Sequence, residues 1–248
     1  MSSFLKNHPF AVEAFFESSL VATFAIPKED MGRLIPECMQ LDTFQDKWAF
    51  IAIAMVQTKD LRPKGFPRML GNDFFLVGYR VFVRFTDGSG RSLRGLYILG
   101  SRTNKRRMEL LGNIFTHYKY TTIDIDQRKQ NGTITISSQQ AGFSISFEER
   151  KDNQQVALPA DSPFADWKEA RKFAGPLPFT FTYDDRDRTV LIVEGVRQNW
   201  KPVPVKVLNY NFPFLDELGT GFVLANTFML RDVPYYWKKG RVENWQSE

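Results

Sequence analysis

The sequence holds one cysteine, Cys38, and two histidines, His8 and His117, in 248 residues. A single thiol excludes an intrachain disulfide, a cysteine-rich zinc site and a CxxC redox pair. Histidines so far apart in the sequence argue against a histidine-based metal cage, so neither a metal nor a cofactor is expected. The common catalytic signatures are also missing. There is no G-x-x-x-x-G-K-S/T phosphate loop, no G-x-G-x-x-G after a strand, no H-E-x-x-H and no G-x-S-x-G elbow. A Ser–His–Asp triad would have to use His8 or His117, and neither neighbourhood offers a nucleophile. Long uncharged apolar runs are absent too. The most apolar N-terminal stretch, residues 9–26, carries Glu13 and Glu17 and lacks a basic lead-in. It therefore reads as neither a signal peptide nor a membrane span, and the cytoplasm is the default compartment.

Charge of one sign is not concentrated. Lys and Arg number 33 against 28 Asp and Glu, a net charge of +5. The basic residues fall in separate groups, among them Lys59, Arg62, Lys64 and Arg68, then Lys105, Arg106 and Arg107, then Lys238, Lys239 and Arg241. This spread reads as a solvated surface and not as a nucleic-acid footprint, and a membrane partner is not expected either. Asp184, Asp185 and Asp187 alternate with Arg186 and Arg188, which suits a charged turn better than a calcium loop.

What is abundant is aromatic. Phe, Trp and Tyr make up 15% of the chain, with 23 Phe. Many lie in runs with Val, Ile and Thr, which is strand chemistry. Strands are expected over residues 20–26, 48–56, 74–85, 93–100, 114–125, 179–183, 189–196, 203–208 and 222–230. A hairpin is expected over 133–137 and 143–147, with Ile134, Ile136, Phe143, Ile145 and Phe147 on one face and serines on the other. Residues 60–73 read as a loop. Short helices are expected over 28–35, from Thr103 or Asn104 to Gly112, and from Ser162-Pro163 to Gly175. Strand follows strand with no βαβ repetition. The pattern predicts a mainly β (α+β) chain: a large antiparallel sheet or barrel with a few short peripheral helices, in one domain over residues 1–248.

In order, the helix at residues 28–35 with Leu34-Ile35-Pro36 and Leu41-Asp42-Thr43-Phe44, the apolar strand 48–56, the Pro/Gly loop, Tyr79-Arg80-Val81-Phe82-Val83-Arg84, and the strand–helix–Gly–strand unit at 95–120 resemble the acetoacetate decarboxylase-like superfamily, in its uncharacterised bacterial branch. The resemblance implies a cone-like, mostly antiparallel β-barrel with a pocket inside it. It also implies a test of chemistry. The family's decarboxylases use a lysine that forms a Schiff base, in a Gly–aromatic–Pro–Lys–Lys run, and such a lysine must be held unprotonated. The matching run here is Gly112-Asn113-Ile114-Phe115-Thr116, with Phe115 and Thr116 where the lysines would stand. Where the family places a glutamate, this chain has Phe75, Leu76 and Val77. Imine chemistry is therefore not expected.

With Phe115 facing such a pocket from a strand, alternation would aim His117 and Lys119 inward and Thr116, Tyr118 and Tyr120 outward. Ligand-binding candidates are then Arg80, Phe115, His117 and Lys119, with His117 the catalytic candidate and expected to be mostly neutral beside a lysine. Arg80 shares a strand face with Arg84, and its planar fork suits a carboxylate. Arg102 and Glu109 are weaker candidates. The structural alternatives are a satisfied core histidine, a snorkelling lysine and arginines in water. Three functions follow: a barrel that binds a small organic acid without Schiff-base chemistry, a lyase or hydrolase using His117 as acid/base, and an interaction protein presenting Tyr235, Tyr236 and Trp237. The expected partner is a small-molecule ligand, with a carboxylic acid leading, and homo-oligomerisation is left open.

Overall fold

The structure, a computed structural model, describes residues 3–149, 156–197, 201–219 and 221–245. The first half runs α1 (Ser3–Lys6), β1 (Val12–Pro27), α2 (Lys28–Met31), β2 (Gln40–Leu41), β3 (Trp48–Pro63), β4 (Asn72–Thr86), β5 (Ser92–Thr103) and α3 (Arg106–Phe115). Then come β6 (Tyr120–Thr122), β7 (Asp126–Gln130), β8 (Thr133–Ser138), β9 (Phe143–Glu148) and α4 (Trp167–Ala174). The chain ends with β10 (Phe179–Asp184), β11 (Thr189–Arg197), β12 (Val203–Pro204), β13 (Val207–Asn211), α5 (Pro213–Asp216), β14 (Val223–Trp237) and β15 (Arg241–Asn244). No helix among the described residues is long and apolar enough to cross a membrane.

Seven strands form a ring in the order β14-β1-β3-β4-β5-β10-β11. The ring closes where Gly195, Val196 and Arg197 pair with Trp237, Tyr236 and Tyr235. It is not a strict antiparallel barrel, because β10 runs parallel to β5 and the seam is short. The parallel pair arises because the chain leaves β5 through α3 and the second sheet before returning. That second sheet, β13-β9-β8-β7, packs its apolar face on the outside of the ring.

Alternation along the strands gives the ring two apolar faces. On β4, Phe75, Val77, Val81, Val83 and Phe85 join one core with Phe24, Ile51 and Ile53 and with Ile136, Phe143, Ile145 and Phe147 of the second sheet. Phe74, Leu76 and Phe82 face the other way, toward α3 and α4. The expected hairpin is found in register, with Ile136 opposite Ile145 and Ile134 opposite Phe147. Ser146 sits on the other face, hydrogen-bonded to Thr135 across 2.8 Å.

Five expectations are corrected. Helix α3 begins after Lys105 and runs through Gly112 to Phe115. Thr103 and Asn104 do not cap it in the expected way, since the Asn104 side chain accepts a hydrogen bond from the Phe75 backbone instead. Gly112 is there for contact, because a Cβ on it would lie 2.3 Å from the Tyr120 ring. The strand expected at 114–125 accordingly shrinks to Tyr120–Thr122. The cap of α4 is Asp166, which accepts from the Glu169 N–H at 2.7 Å, while Ser162 donates to the Ala225 carbonyl. The stretch 203–208 divides between the two sheets as β12 and β13, and the expected loop at 60–73 is shortened by strand at both ends.

Candidate functional site

A cavity of about 360 Å³ lies inside the ring, and each of the seven strands contributes to its wall. That volume is in the range of small-molecule sites, roughly 300–1,000 Å³. Small residues on the inward face leave the space: Ala54 pairs with Gly78, and Ala52 lies beside Arg80. A Cβ on Gly78 would come within 3.2 Å of Nε and Nη2 of Arg80, so the glycine leaves room for the guanidinium. The wall is chiefly apolar, with Phe74, Leu76 and Phe82 from β4 and Met108 and Phe115 from α3. Opposite them Phe16 stacks on Tyr235 at 4.7 Å and meets Trp237 edge-on at 5.7 Å.

The polar groups of this wall are few. Nε of Arg80 is buried with no hydrogen-bond partner. Tyr118 and Tyr120 are buried beside it. Burial raises both phenol pKa values, and the Arg80 charge partly offsets this. Thr180 donates to the Val193 carbonyl, which leaves its oxygen to accept from the Tyr118 hydroxyl at 3.1 Å. His8 also lines the cavity, with φ at +51° and Nδ1 buried without a partner. Burial pushes its imidazole down to about 4, so it is neutral at pH 7. No lysine is among the described residues of the wall. Among the described residues no cluster of three or more His, Cys, Asp and Glu is placed to hold a metal.

Of the residues singled out in the sequence, Arg80 and Phe115 line the cavity and His117 and Lys119 do not. The reason is the extra turn of α3. Phe115 ends a helix, so strand alternation does not carry on from it, and it is Tyr118 and Tyr120 that face inward. Lys119 is exposed at φ +52°. His117 is half-buried, 3.3 Å from the Asn7 side-chain oxygen and 3.9 Å from Asp184. Its pKa is lowered chiefly by burial and further by Lys6, against the pull of Asp184. Arg84 lies outside the cavity and shares the buried Asp42 carboxylate with Arg94. Glu109 accepts from the Thr122 N–H at 2.9 Å, and Arg102 bonds Thr121. Tyr235 and Trp237, expected as a surface patch, face the cavity. His8 went unassigned because only tertiary bonds place it: its N–H donates to the Phe115 carbonyl and its carbonyl accepts from Gly240.

A family model for DUF2071, described as an uncharacterized conserved protein, matches residues 14–223. The chain belongs to the DUF2071 family. A search of curated proteins finds no match. Solved structures with the same fold include acetoacetate decarboxylase from Legionella pneumophila, at TM-score 0.60 and 9% identity over 98% of this chain and 91% of that one. The enduracididine biosynthesis enzyme MppR complexed with pyruvate matches at TM-score 0.58 and 10% identity, over 94% of this chain and 90% of its own. An acetoacetate decarboxylase-like enzyme from Sphingomonas wittichii RW1 matches at 0.57 and 8%, covering 97% and 94%. This DUF2071 chain therefore has the acetoacetate decarboxylase-like fold, as its sequence resemblance implied.

Proposed function

We propose that the ring cavity binds a small organic acid with an apolar body, its carboxylate on Arg80, without Schiff-base chemistry. The observation that carries this reading is the Arg80 guanidinium, with Nε buried and unpartnered in a largely apolar cavity. A buried donor of a charged group is costly to leave unsatisfied, and a planar carboxylate meets the guanidinium fork with two parallel hydrogen bonds. Tyr120 keeps its phenol proton at neutral pH and can donate it to the same oxygens, while Tyr118 gives its proton to Thr180. Phe16, Phe74 and Trp237 supply apolar surface for the rest of the molecule. Phe115 and Thr116 line the wall, the sequence resemblance puts them where the family's lysine pair would stand, and an imine needs an amine. His117 is not among the residues that line this wall, so the cavity lends the lyase or hydrolase reading no support.

The test is thermal unfolding and calorimetry with a panel of aromatic and medium-chain carboxylic acids, each beside its primary amide. Acids should bind and raise the melting temperature, and the amides should not. Arg80→Met should weaken acid binding by about 10- to 100-fold, the cost of a lost charged hydrogen bond of about 1.5–3 kcal/mol. Equal binding of amides, or an unaffected Arg80→Met variant, would refute the site. Borohydride with acetoacetate should leave the intact mass unchanged, and a reduced lysine adduct would refute the absence of imine chemistry.

A further inference from the structure

Exposed apolar side chains are not scattered over this molecule. The described residues include nine large hydrophobics that are exposed, and seven sit on three short segments. Phe4 and Leu5 are on α1, Phe66, Met69 and Leu70 on the loop between β3 and β4, and Leu110 and Ile114 on the outer face of α3. These segments are tied together. The His8 N–H, just after α1, bonds the Phe115 carbonyl at the end of α3, and the Lys64 N–H bonds the Ala11 carbonyl at 2.9 Å. The loop and α3 border one opening, because Leu70 and Arg107 are exposed and at the same time line the cavity, and α1 packs beside α3.

Positive charge dominates these segments. The loop carries Lys64 and Arg68, α3 opens on Lys105, Arg106 and Arg107, and α1 ends on Lys6. Against these six cations the three segments hold one acid, Glu109, whose carboxylate is turned onto Thr122. Of the acids on the flanking strands, Glu13 pairs with Arg62 at 2.7 Å and Asp73 with Lys59 at 3.1 Å. We propose that this rim docks the mouth of the cavity on the surface of an anionic phospholipid bilayer. Phe66, Met69 and Leu70 would enter the acyl boundary while the lysines and arginines meet the headgroups. A second copy of the chain fits worse, since a two-fold contact would oppose like charges over the whole rim. No membrane signal is visible along the chain because the patch is assembled from three segments far apart in sequence. The inference stands on the outer surface and does not depend on which ligand the cavity takes.

The experiment is flotation of the full chain with vesicles of phosphatidylcholine alone and of phosphatidylcholine with one third phosphatidylglycerol, without added ligand. Binding should be at least about tenfold stronger to the anionic vesicles and should fall in about 0.5 M salt, where the Debye length is only a few ångströms. Phe66→Ser with Met69→Ser should abolish it, and so should Arg68→Glu with Arg106→Glu. None of these four residues lines the cavity, so circular dichroism melts should match wild type. Failure to bind anionic vesicles, or equal binding by both double variants, overturns the proposal. So does a dimer in sedimentation that Leu110→Ser dissociates.

Discussion

Burial of His8 beside the cavity lowers its imidazole pKa from 6.5 to about 4. Above pH 6.5 the imidazole is neutral in both the folded and the unfolded chain. Between 6.5 and 4 the unfolded chain takes up a proton that the folded chain refuses, so stability falls as pH falls. The loss totals about 3 kcal/mol and levels off below pH 4, where the folded state protonates as well. His117 is shifted in the same direction and adds to it. Asp87 does not enter this window, because Ser89 and Arg91 hold its carboxyl below the usual range and its contribution is lost only at more acid pH. Urea midpoints at pH 7 and pH 4.5 should differ for the wild type and differ much less for His8→Phe. An undiminished difference in that variant would assign the acid sensitivity to other groups. At this scale the sequence was readable where a residue sat deep in a regular strand. Arg80 belongs to the inward face of β4 by simple alternation. His117 and Lys119 follow a helix end, and His8 is positioned by backbone bonds to residues 115 and 240, so counting along the chain locates none of them.

Helix α3 shows how an element boundary decides which side chains reach a site. A glycine inside a helix ordinarily gains about 1 kcal/mol on replacement by alanine. Gly112 should behave oppositely, because its Cβ would lie 2.3 Å from the buried Tyr120 ring. Overpacking of that kind costs about 1–3 kcal/mol. Gly112→Ala should therefore lower the urea midpoint and, by displacing Tyr120 from the cavity wall, also weaken acid binding. A stabilised Gly112→Ala would mean that the ring moves freely aside. The glycine looks like a stop in the sequence, and that appearance is what misplaces the following strand. Elements with clean two-residue alternation, such as β8, β9 and β4, were legible because a slip of one residue would expose every apolar side chain they bury. Pairings of the short strands β12 and β13 were not legible, since a few residues carry no periodicity and the choice of sheet is tertiary.

For the molecule as a whole, the ring joins the two ends of the chain. Val12 pairs with both Trp237 and Pro63, and Gly195 pairs with Trp237. None of these contacts is local, so much loop-closure entropy is lost before the ring is rewarded by burial. Refolding on dilution from urea should occupy milliseconds to seconds by stopped-flow fluorescence, and complete recovery within microseconds would contradict this topology. The mainly β architecture and the inner pocket could be expected from the order of strands and from the family resemblance. The parallel pairing of β5 with β10 could not, because it depends on where the chain returns after the second sheet.

The ring strands bury residues on both faces, and this separates two kinds of selection within single strands. Along β3 and β4, positions 52, 54, 74, 76 and 80 meet the cavity, while 51, 53, 75, 77 and 81 meet the packing against the second sheet. A lineage can therefore exchange inward residues and drift toward another ligand while the alternate positions keep the scaffold assembled. Divergence of binding preference and retention of architecture need not compete, even between adjacent codons.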